Sequence, residues 1–340
     1  MKILFSGYHN PHYETVTEYM ERGLRALGHD VAVYDDRRHI IPGRVRYRFP
    51  ALRRLDLLHL NRRLVRMARR EHPDLAIVTG GDRILGAAVE SLKAMGIVTA
   101  LWTTDPPIRR WSILSSAPRY DHIFCQGTEA VEIFSRHGIP RARWLPVGCE
   151  PASHHPVDLT ESDRRQYGSD VAFVGSHYPG REVLLEALAD FDLAIWGPGW
   201  EKLREGSRLR GRVRKAHTAP SEWLKIYSAS RIVLATHYRD PEGAVPVHQA
   251  SPRVFEALAC RAFLVCDRQR DVFNLFRDGE HLVGFDGGAD LAEKVRYYLD
   301  RPLERQAIAR KGHEEVICRH TYVHRIEALL AAVADPGDDR

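Results

Sequence analysis

The sequence predicts an α/β protein with two successive parallel sheets, and three observations carry that prediction. Short, continuous apolar runs alternate with stretches of helical periodicity along almost the whole chain. The connections between them are short, the βαβ order that makes neighbouring strands parallel. The 340 residues exceed what one ordinary core holds and suit two domains.

The first domain is expected over residues 1–150. Lys2–Ser6 reads as a buried strand, followed by the polar loop Gly7–His12. Val16, Met20, Leu24 and Leu27 recur at helical spacing, and Gly28 stands where such a helix stops. Val31–Tyr34 and Leu75–Thr79 are the next strands, the second closed by Gly80 and Gly81. A helix around Leu85–Met95 leads to the strand Val98–Trp102, which ends at Asp105, Pro106 and Pro107. His122–Cys125 is strand-like, a helix ends near Gly138, and Trp144–Gly148 closes the half.

Residues 151–169, rich in His, Pro, Asp and Ser, read as a linker. The second domain, residues 170–320, repeats the alternation. Strands are expected at Val171–Val174, Leu193–Trp196, Ile232–Ala235 and Ala262–Cys266, with helices at Glu182–Ala189, Glu222–Tyr227 and Arg253–Leu258. Helices Leu291–Leu299 and Leu303–Val316 follow, and residues 321–340 are a last helix, packing back on the first domain, and a tail. Two such sheets without tandem repeats suggest two Rossmann-like domains facing across a cleft.

Composition narrows the class. With 44% hydrophobic and 28% charged residues the chain is that of a globular protein. No apolar run reaches the roughly 20 residues that span a bilayer. The start Met1–Gly7 turns polar too soon for a signal peptide, so a cytoplasmic protein is expected. Five cysteines without a C-x-x-C pair argue against a disulfide framework and a zinc site. The net charge of +5 is concentrated: arginines crowd Arg37–Arg70, with Asp56 the only acid among them. A solvated helical face is the plain reading. Few aromatic residues accompany the arginines, which speaks against nucleic acid, while Leu52, Leu55, Leu58, Leu60 and Leu64 leave weak peripheral membrane contact open.

Gly175–Glu182 nearly matches the phosphate loop G-x-x-x-x-G-K-S/T, but Arg181 replaces the lysine and Glu182 the magnesium-binding hydroxyl. Nucleoside triphosphate hydrolysis is therefore not expected. The loop still joins a strand to a helix start, where free amides favour an anion. It reads equally as a structural turn and as a phosphate contact. The dinucleotide fingerprint is absent after the first strand, although Asp35 and Asp36 end the second. The pairs His9/His12 and His154/His155 lack a metalloprotease setting and read as solvated loop residues.

Ser251-Pro252-Arg253 is a strong helix start, with serine as N-cap and proline at the first helical position. The amides of Arg253 and Val254 are expected to stay free for phosphate, and Arg253 adds a bidentate cation. Glu256, one turn on, suits hydrogen bonds from ribose hydroxyls. By spacing alone, an ordinary capped helix explains these residues at least as well.

The run Ser251–Cys266 resembles the donor-site helix and following strand of the group-1, family-4-like glycosyltransferases, in the branch of the spore-maturation CgeB-type proteins. Phe273–Glu280, Tyr297–Leu299, Ile308–His313 and His320–Arg325 fit the same branch, as do Trp102–Pro107 and Leu145–Gly148. The resemblance implies a GT-B fold, with a nucleotide-sugar donor on the second domain and an acceptor on the first. It implies Glu256 at the ribose, and Ser251, Arg253, Gly175, Ser176 and Arg181 around the diphosphate. Trp196, Gly197, Thr218 and Ala219 would lie near the base. The family commonly carries a glutamate eight residues before the ribose-binding one; this chain has His248 there.

The expected reaction is transfer of a sugar from a nucleoside-diphosphate donor, UDP by preference, to an acceptor hydroxyl. It would proceed with retention and without metal or other cofactor, the helix start and arginines stabilising the departing diphosphate. An inverting route would need a base, for which Asp105 and His9 stand in loops after strands. The alternatives are a non-catalytic nucleotide- or glycan-binding protein and an epimerase-like enzyme acting on the same donor.

Overall fold

The computed structural model describes residues 1–105, 111–238 and 247–335. Pro106 and Pro107, which end the expected fourth strand segment, lie outside the described residues, as does the tail from 336 to 340.

The chain divides into two units, Met1–Pro146 with Tyr322–Arg340, and Val147–Thr321. In unit 1 the order is β1 (Lys2–Gly7), α1 (Val16–Ala26), β2 (Asp30–Asp35), α2 (Gly43–Arg48), α3 (Pro50–Glu71), β3 (Leu75–Thr79) and α4 (Gly86–Lys93). Then follow β4 (Val98–Thr103), α5 (Trp111–Ser116), β5 (His122–Cys125), α6 (Thr128–Arg136) and β6 (Ala142–Trp144). Unit 2 holds α7 (Glu161–Tyr167), β7 (Val171–Val174), α8 (Pro179–Glu186), β8 (Leu193–Trp196), β9 (Val213–Lys215), α9 (Pro220–Ala229) and β10 (Ile232–Ala235). It continues with α10 (Pro252–Ala259), β11 (Leu264–Asp267), α11 (Arg270–Leu275), β12 (Val283–Phe285), α12 (Gly287–Leu299) and α13 (Pro302–Arg319). The last helix, α14 (Tyr322–Ala334), returns to unit 1.

Each unit carries one sheet of six parallel strands. The orders are β2-β1-β3-β4-β5-β6 and β12-β11-β10-β7-β8-β9. Helices cover both faces, so the strands are buried on both sides and read as unbroken apolar runs. In unit 1 the core joins Leu4, Val78, Leu101 and Ile123 of the strands to Leu60, Leu64, Val89 and Phe134 of the helices. In unit 2 it joins Phe173, Ile195, Leu234 and Phe285 to Leu185, Leu291, Val295 and Ile308. Helix α14 packs on α1, with the Tyr19 and Tyr322 rings 5.8 Å apart. Gly23 permits the close crossing, because a Cβ there would stand 2.6 Å from Ile326 Cδ1.

Two features differ from the sequence reading, and a third extends it. Residues 151–169 are not a bare linker: they belong to unit 2 and contain α7, capped by Thr160, whose hydroxyl accepts the Asp163 amide at 3.1 Å. The strands β9 and β12, of three residues each, were not expected, being too short to leave a periodic signal. The arginine-rich stretch resolves into α2 and the 22-residue α3.

Both sheets contain a point where the chain reverses its direction of strand addition: between β1 and β3 in unit 1, and between β7 and β10 in unit 2. Loops leaving two adjacent strands there diverge to opposite sides and open a crevice at the carboxyl ends. That places the loops after β7 and β10 at the natural ligand position of unit 2.

Candidate functional site

The crevice of unit 2 is organised by Arg181. From the first turn of α8 its Nε donates to Thr236 Oγ1 (2.7 Å), Nη1 to Ser176 O (2.5 Å) and Nη2 to Thr236 O (2.9 Å). One side chain thus ties the loop after β7 to the loop after β10. Three of its five N–H donors are consumed by the protein, so its first role is to position the two loops rather than to reach a ligand. Its guanidinium also stacks 5.0 Å from the Phe173 ring and 4.9 Å from that of Tyr178.

Arg253 reaches the same place from α10. Its guanidinium lies 5.9 Å from the Phe173 ring, on which Arg181 also rests. A Cβ at Gly175 would stand 3.2 Å from Arg253 Nη2, so the glycine lets the cation settle over the turn that leaves β7. Gly197 matters in the same way. It has φ +128, and a Cβ there would meet Gly175 O at 2.4 Å. Burial, then the neighbouring Arg253, push the Arg181 guanidinium down to about 10. Two cations gathered against one apolar ring repel each other, and an anion between them would relieve that cost.

The start of α10 is built differently from a simple cap. Ser251 holds the N-cap position with φ −69 and ψ 152, yet its side chain caps nothing. The Val254 amide turns back to Ser251 O (3.0 Å) and is not free as the sequence suggested. Ser251 Oγ is shielded from solvent and without a hydrogen-bond partner among the described residues. The Ser251 amide donates to His237 Nε2 (3.0 Å), while His237 Nδ1 faces Asp267 Oδ1 at 2.7 Å. These contacts fix the tautomer: the proton sits on Nδ1 and the Nε2 lone pair accepts. Gln269 Nε2 holds the other Asp267 oxygen at 3.0 Å. Ligand-type atoms of His237, Cys266 and Asp267 lie within 4.8 Å of one another, and the hydrogen bonds account for that grouping. The sequence reading passed over Thr236, His237 and Asp267. Their signal was their place at the ends of apolar strands, where the carboxyl-end rule points.

Glu256 keeps intermediate exposure but is crowded by protein on most sides. Burial pushes its carboxyl above the usual carboxylate range, and the Arg253 charge pulls it back. The buried Tyr227 hydroxyl lies beside both charges and makes no hydrogen bond of ordinary geometry. Arg253, Glu256, Tyr227 and Gly175 therefore form one polar group around the first turns of α10.

The expected base-side residues divide. Trp196 is a core residue, 4% exposed, its ring 5.7 Å from that of Tyr167. Its side chain is not a surface on which a base stacks; its carbonyl instead accepts the Gly175 amide at 2.8 Å. Thr218 and Ala219 are more accessible. Thr218 Oγ1 receives the Trp223 indole N–H (2.7 Å), and the Ala219 amide donates to Glu222 (2.8 Å), so both form the start of α9. A cavity of about 640 Å³ adjoins the crevice, bounded by Tyr178, Arg181, His237, Tyr238 and Asp267, with a mainly apolar lining.

Among the catalytic candidates, Arg253 and His248 belong to unit 2, whereas Asp105 and His9 belong to unit 1. His248 is partly exposed, and its carbonyl accepts the Asp271 amide at 3.0 Å. Asp105 is also partly exposed, its carbonyl taking the Thr103 hydroxyl at 2.7 Å. Both ring nitrogens of His9 face acceptors, Gly7 O at 3.3 Å and Glu21 at 3.1 Å. That leaves no outward lone pair for a base.

Residues 181–331 match the family described as glycosyl transferase-like. Spore protein CgeB of Bacillus subtilis (strain 168) is 22% identical over 272 residues, covering 77% of this chain and 83% of that protein. Among solved structures, a glycosyltransferase from Rickettsia africae ESF-5 superimposes with a TM-score of 0.70 at 12% identity, covering 100% of this chain and 99% of the other. Anabaena Alr3699/HepE, in complex with UDP and glucose, gives 0.66 at 14%, covering 98% and 99%. With two six-stranded parallel sheets and these likenesses, the chain has the GT-B fold and resembles the CgeB-like glycosyltransferases.

Proposed function

We propose that the chain is a glycosyltransferase that binds a nucleoside-diphosphate sugar in the crevice of unit 2. The diphosphate lies against Arg253 and the neighbouring turn at Gly175 and Ser176, and the Glu256 carboxylate accepts hydrogen bonds from the ribose. The observation that carries this reading is the meeting of Arg181 and Arg253 on Phe173 beside a glycine turn, two like charges whose repulsion a neighbouring anion would offset. The family match and the UDP named for the HepE complex support the same donor class, with UDP the nucleotide of first choice.

Leaving-group stabilisation is electrostatic. Arg253 and the first turn of α10 face the charge that builds on the departing diphosphate, while Arg181 holds the two loops that shape the pocket. Ser251 Oγ, already desolvated and unpartnered, gains a partner when a phosphate oxygen arrives. The reaction runs without metal or cofactor, and His248, where the family commonly has glutamate, faces the sugar. Retention fits the family; for inversion Asp105 is the base rather than His9, whose two ring nitrogens already face Gly7 O and Glu21.

The experiment is donor turnover. UDP release from UDP-glucose and other UDP-sugars should persist in EDTA and fall away with Arg253→Ala. Turnover restored only by a divalent ion contradicts the metal-free route. Tight UDP binding with no release of UDP, with or without acceptors, favours the non-catalytic alternative.

A further inference from the structure

Unit 1 carries a surface that the donor chemistry does not use. Asp56, the only acid between Arg37 and Arg70, is 1% exposed. It is enclosed by His39 Nδ1 (2.5 Å), Arg46 Nη1 (3.1 Å) and the Ile40 amide (3.0 Å). Its charge is spent inside. Outside remain the exposed Arg44, Arg48, Arg54, Arg62, Arg66 and Arg69, none with a carboxylate partner among the described residues.

Large apolar side chains stand exposed among them. Tyr47 is 70% exposed, Leu55 58%, Ile40 57% and Phe49 51%. Along α3, Leu55, Arg62, Arg66 and Arg69 follow at i, i+7, i+11 and i+14, a single stripe on the helix face turned from the core. Beneath that stripe a groove of about 450 Å³ runs between α3 and α4. Its floor is Leu58, Val65, Leu85 and Ala88, and Arg62, Arg66 and Arg69 stand on its rim.

We propose that this α2–α3 surface docks on an anionic lipid bilayer, with the arginines against the headgroups and Ile40, Tyr47, Phe49 and Leu55 in the interface. Uncompensated positive charge selects an anionic partner. The aliphatic Ile40 and Leu55 select the lipid, because they cannot stack on bases and gain only by leaving water for an apolar medium. A second copy of the chain would set arginines against arginines. No helix among the described residues is long and apolar enough to cross a membrane, so the contact is peripheral. The groove beside the stripe offers one acyl chain a place next to its headgroup.

The test is sedimentation of the full chain with phosphatidylcholine vesicles, with and without phosphatidylglycerol. Binding is expected only with the anionic lipid. The triple substitution Arg62→Gln, Arg66→Gln, Arg69→Gln should weaken it by about 100-fold, at roughly fivefold per arginine near the surface. Tyr47→Ser with Phe49→Ser should weaken it by about tenfold and remove the fraction that survives high salt. Tyr47→Trp should shift its emission to the blue on binding. All these positions are exposed, and circular dichroism checks that each variant folds. Equal sedimentation with neutral vesicles, or a Tyr47→Trp emission unchanged by anionic vesicles, overturns the proposal. So does single-stranded DNA that binds more tightly than vesicles and is indifferent to the Tyr47 and Phe49 substitutions, an outcome that assigns the surface to nucleic acid. Inorganic phosphate as competitor separates headgroup charge from the bilayer: if phosphate alone displaces the vesicles at millimolar levels, the apolar contribution fails.

Discussion

The two sheets share one plan, yet the strand ends around their reversal points carry different chemistry. Near that of unit 2, two guanidiniums rest on Phe173, and the acid Asp267 is occupied by His237 and Gln269. At the carboxyl ends of β2 and β3 in unit 1, acids and arginines are mixed: Asp36, Arg37, Asp82 and Arg83 stand together, with Arg37 Nη2 donating to Asp82 at 3.1 Å. Asp36 is 2% exposed, and its Oδ1 lacks a hydrogen bond; the nearest guanidinium nitrogen, Arg37 Nε, is 3.5 Å away. The same topology therefore frames paired cations in one unit and a mixed set of acids and arginines in the other. Topology supplies the crevice, and the residues at the strand ends decide what enters it.

The largest expected effect concerns the tie between loops. Arg181→Met removes three hydrogen bonds and leaves Ser176 O and Thr236 O without their donors. It should cost about 3 kcal/mol of stability by chemical denaturation. A loss under 1 kcal/mol would show that Arg181 serves the ligand rather than the fold.

In unit 1 the corresponding effect falls on Asp36. Burial, partly offset by Arg37, pushes its carboxyl up to about 6, with Asp82 and Asp35 adding to the rise. A carboxyl whose folded value lies above its unfolded one, about 4, costs stability progressively as pH rises from 4 through 6. Asp36→Asn should therefore be more stable than wild type by on the order of 2 kcal/mol at pH 8 and equal to it near pH 4. A variant less stable at pH 8 would mean that Asp36 is held by Arg37 and Arg83 as an ion pair.

Glu256→Gln is the smallest change. Loss of a charged acceptor should weaken UDP binding by about tenfold in calorimetric titration. Because burial raises the Glu256 pKa, wild type loses stability as pH climbs through that value, and the glutamine variant should show a flatter profile. Unchanged affinity would remove Glu256 from the ribose.

Much of this was legible in the sequence. Val171–Val174 and Leu75–Thr79 announce themselves because strands buried on both faces are continuous apolar runs. Helix α10 is legible from Ser251 and Pro252, and Arg253 meets the Gly175 turn in the fold. The lateral order of the strands was not, since nothing local records which strand lies beside β7. Nor was the true work of Arg181, whose donors are spent on the nearby Ser176 carbonyl and on the hydroxyl and carbonyl of Thr236, a residue distant in sequence. Ser251 shows the same limit: the cap signature is real, yet the Oγ is idle because Val254 turns to the backbone instead. Nor was the placement of Trp196 legible, its indole being drawn into the core at the end of β8. Asp56 could be counted but not placed, and its burial is what leaves the α2–α3 surface uncompensated.

Calorimetric titration of UDP tests whether the Arg253 end of α10 holds the diphosphate of a nucleotide sugar. Arg253→Ala should bind UDP on the order of 30-fold more weakly than wild type with an unchanged melting curve. Uridine, lacking the diphosphate, should bind both forms alike, and Arg210→Ala, an exposed arginine of the same unit, should bind UDP as wild type does. Wild-type UDP affinity in a folded Arg253→Ala variant would contradict the account.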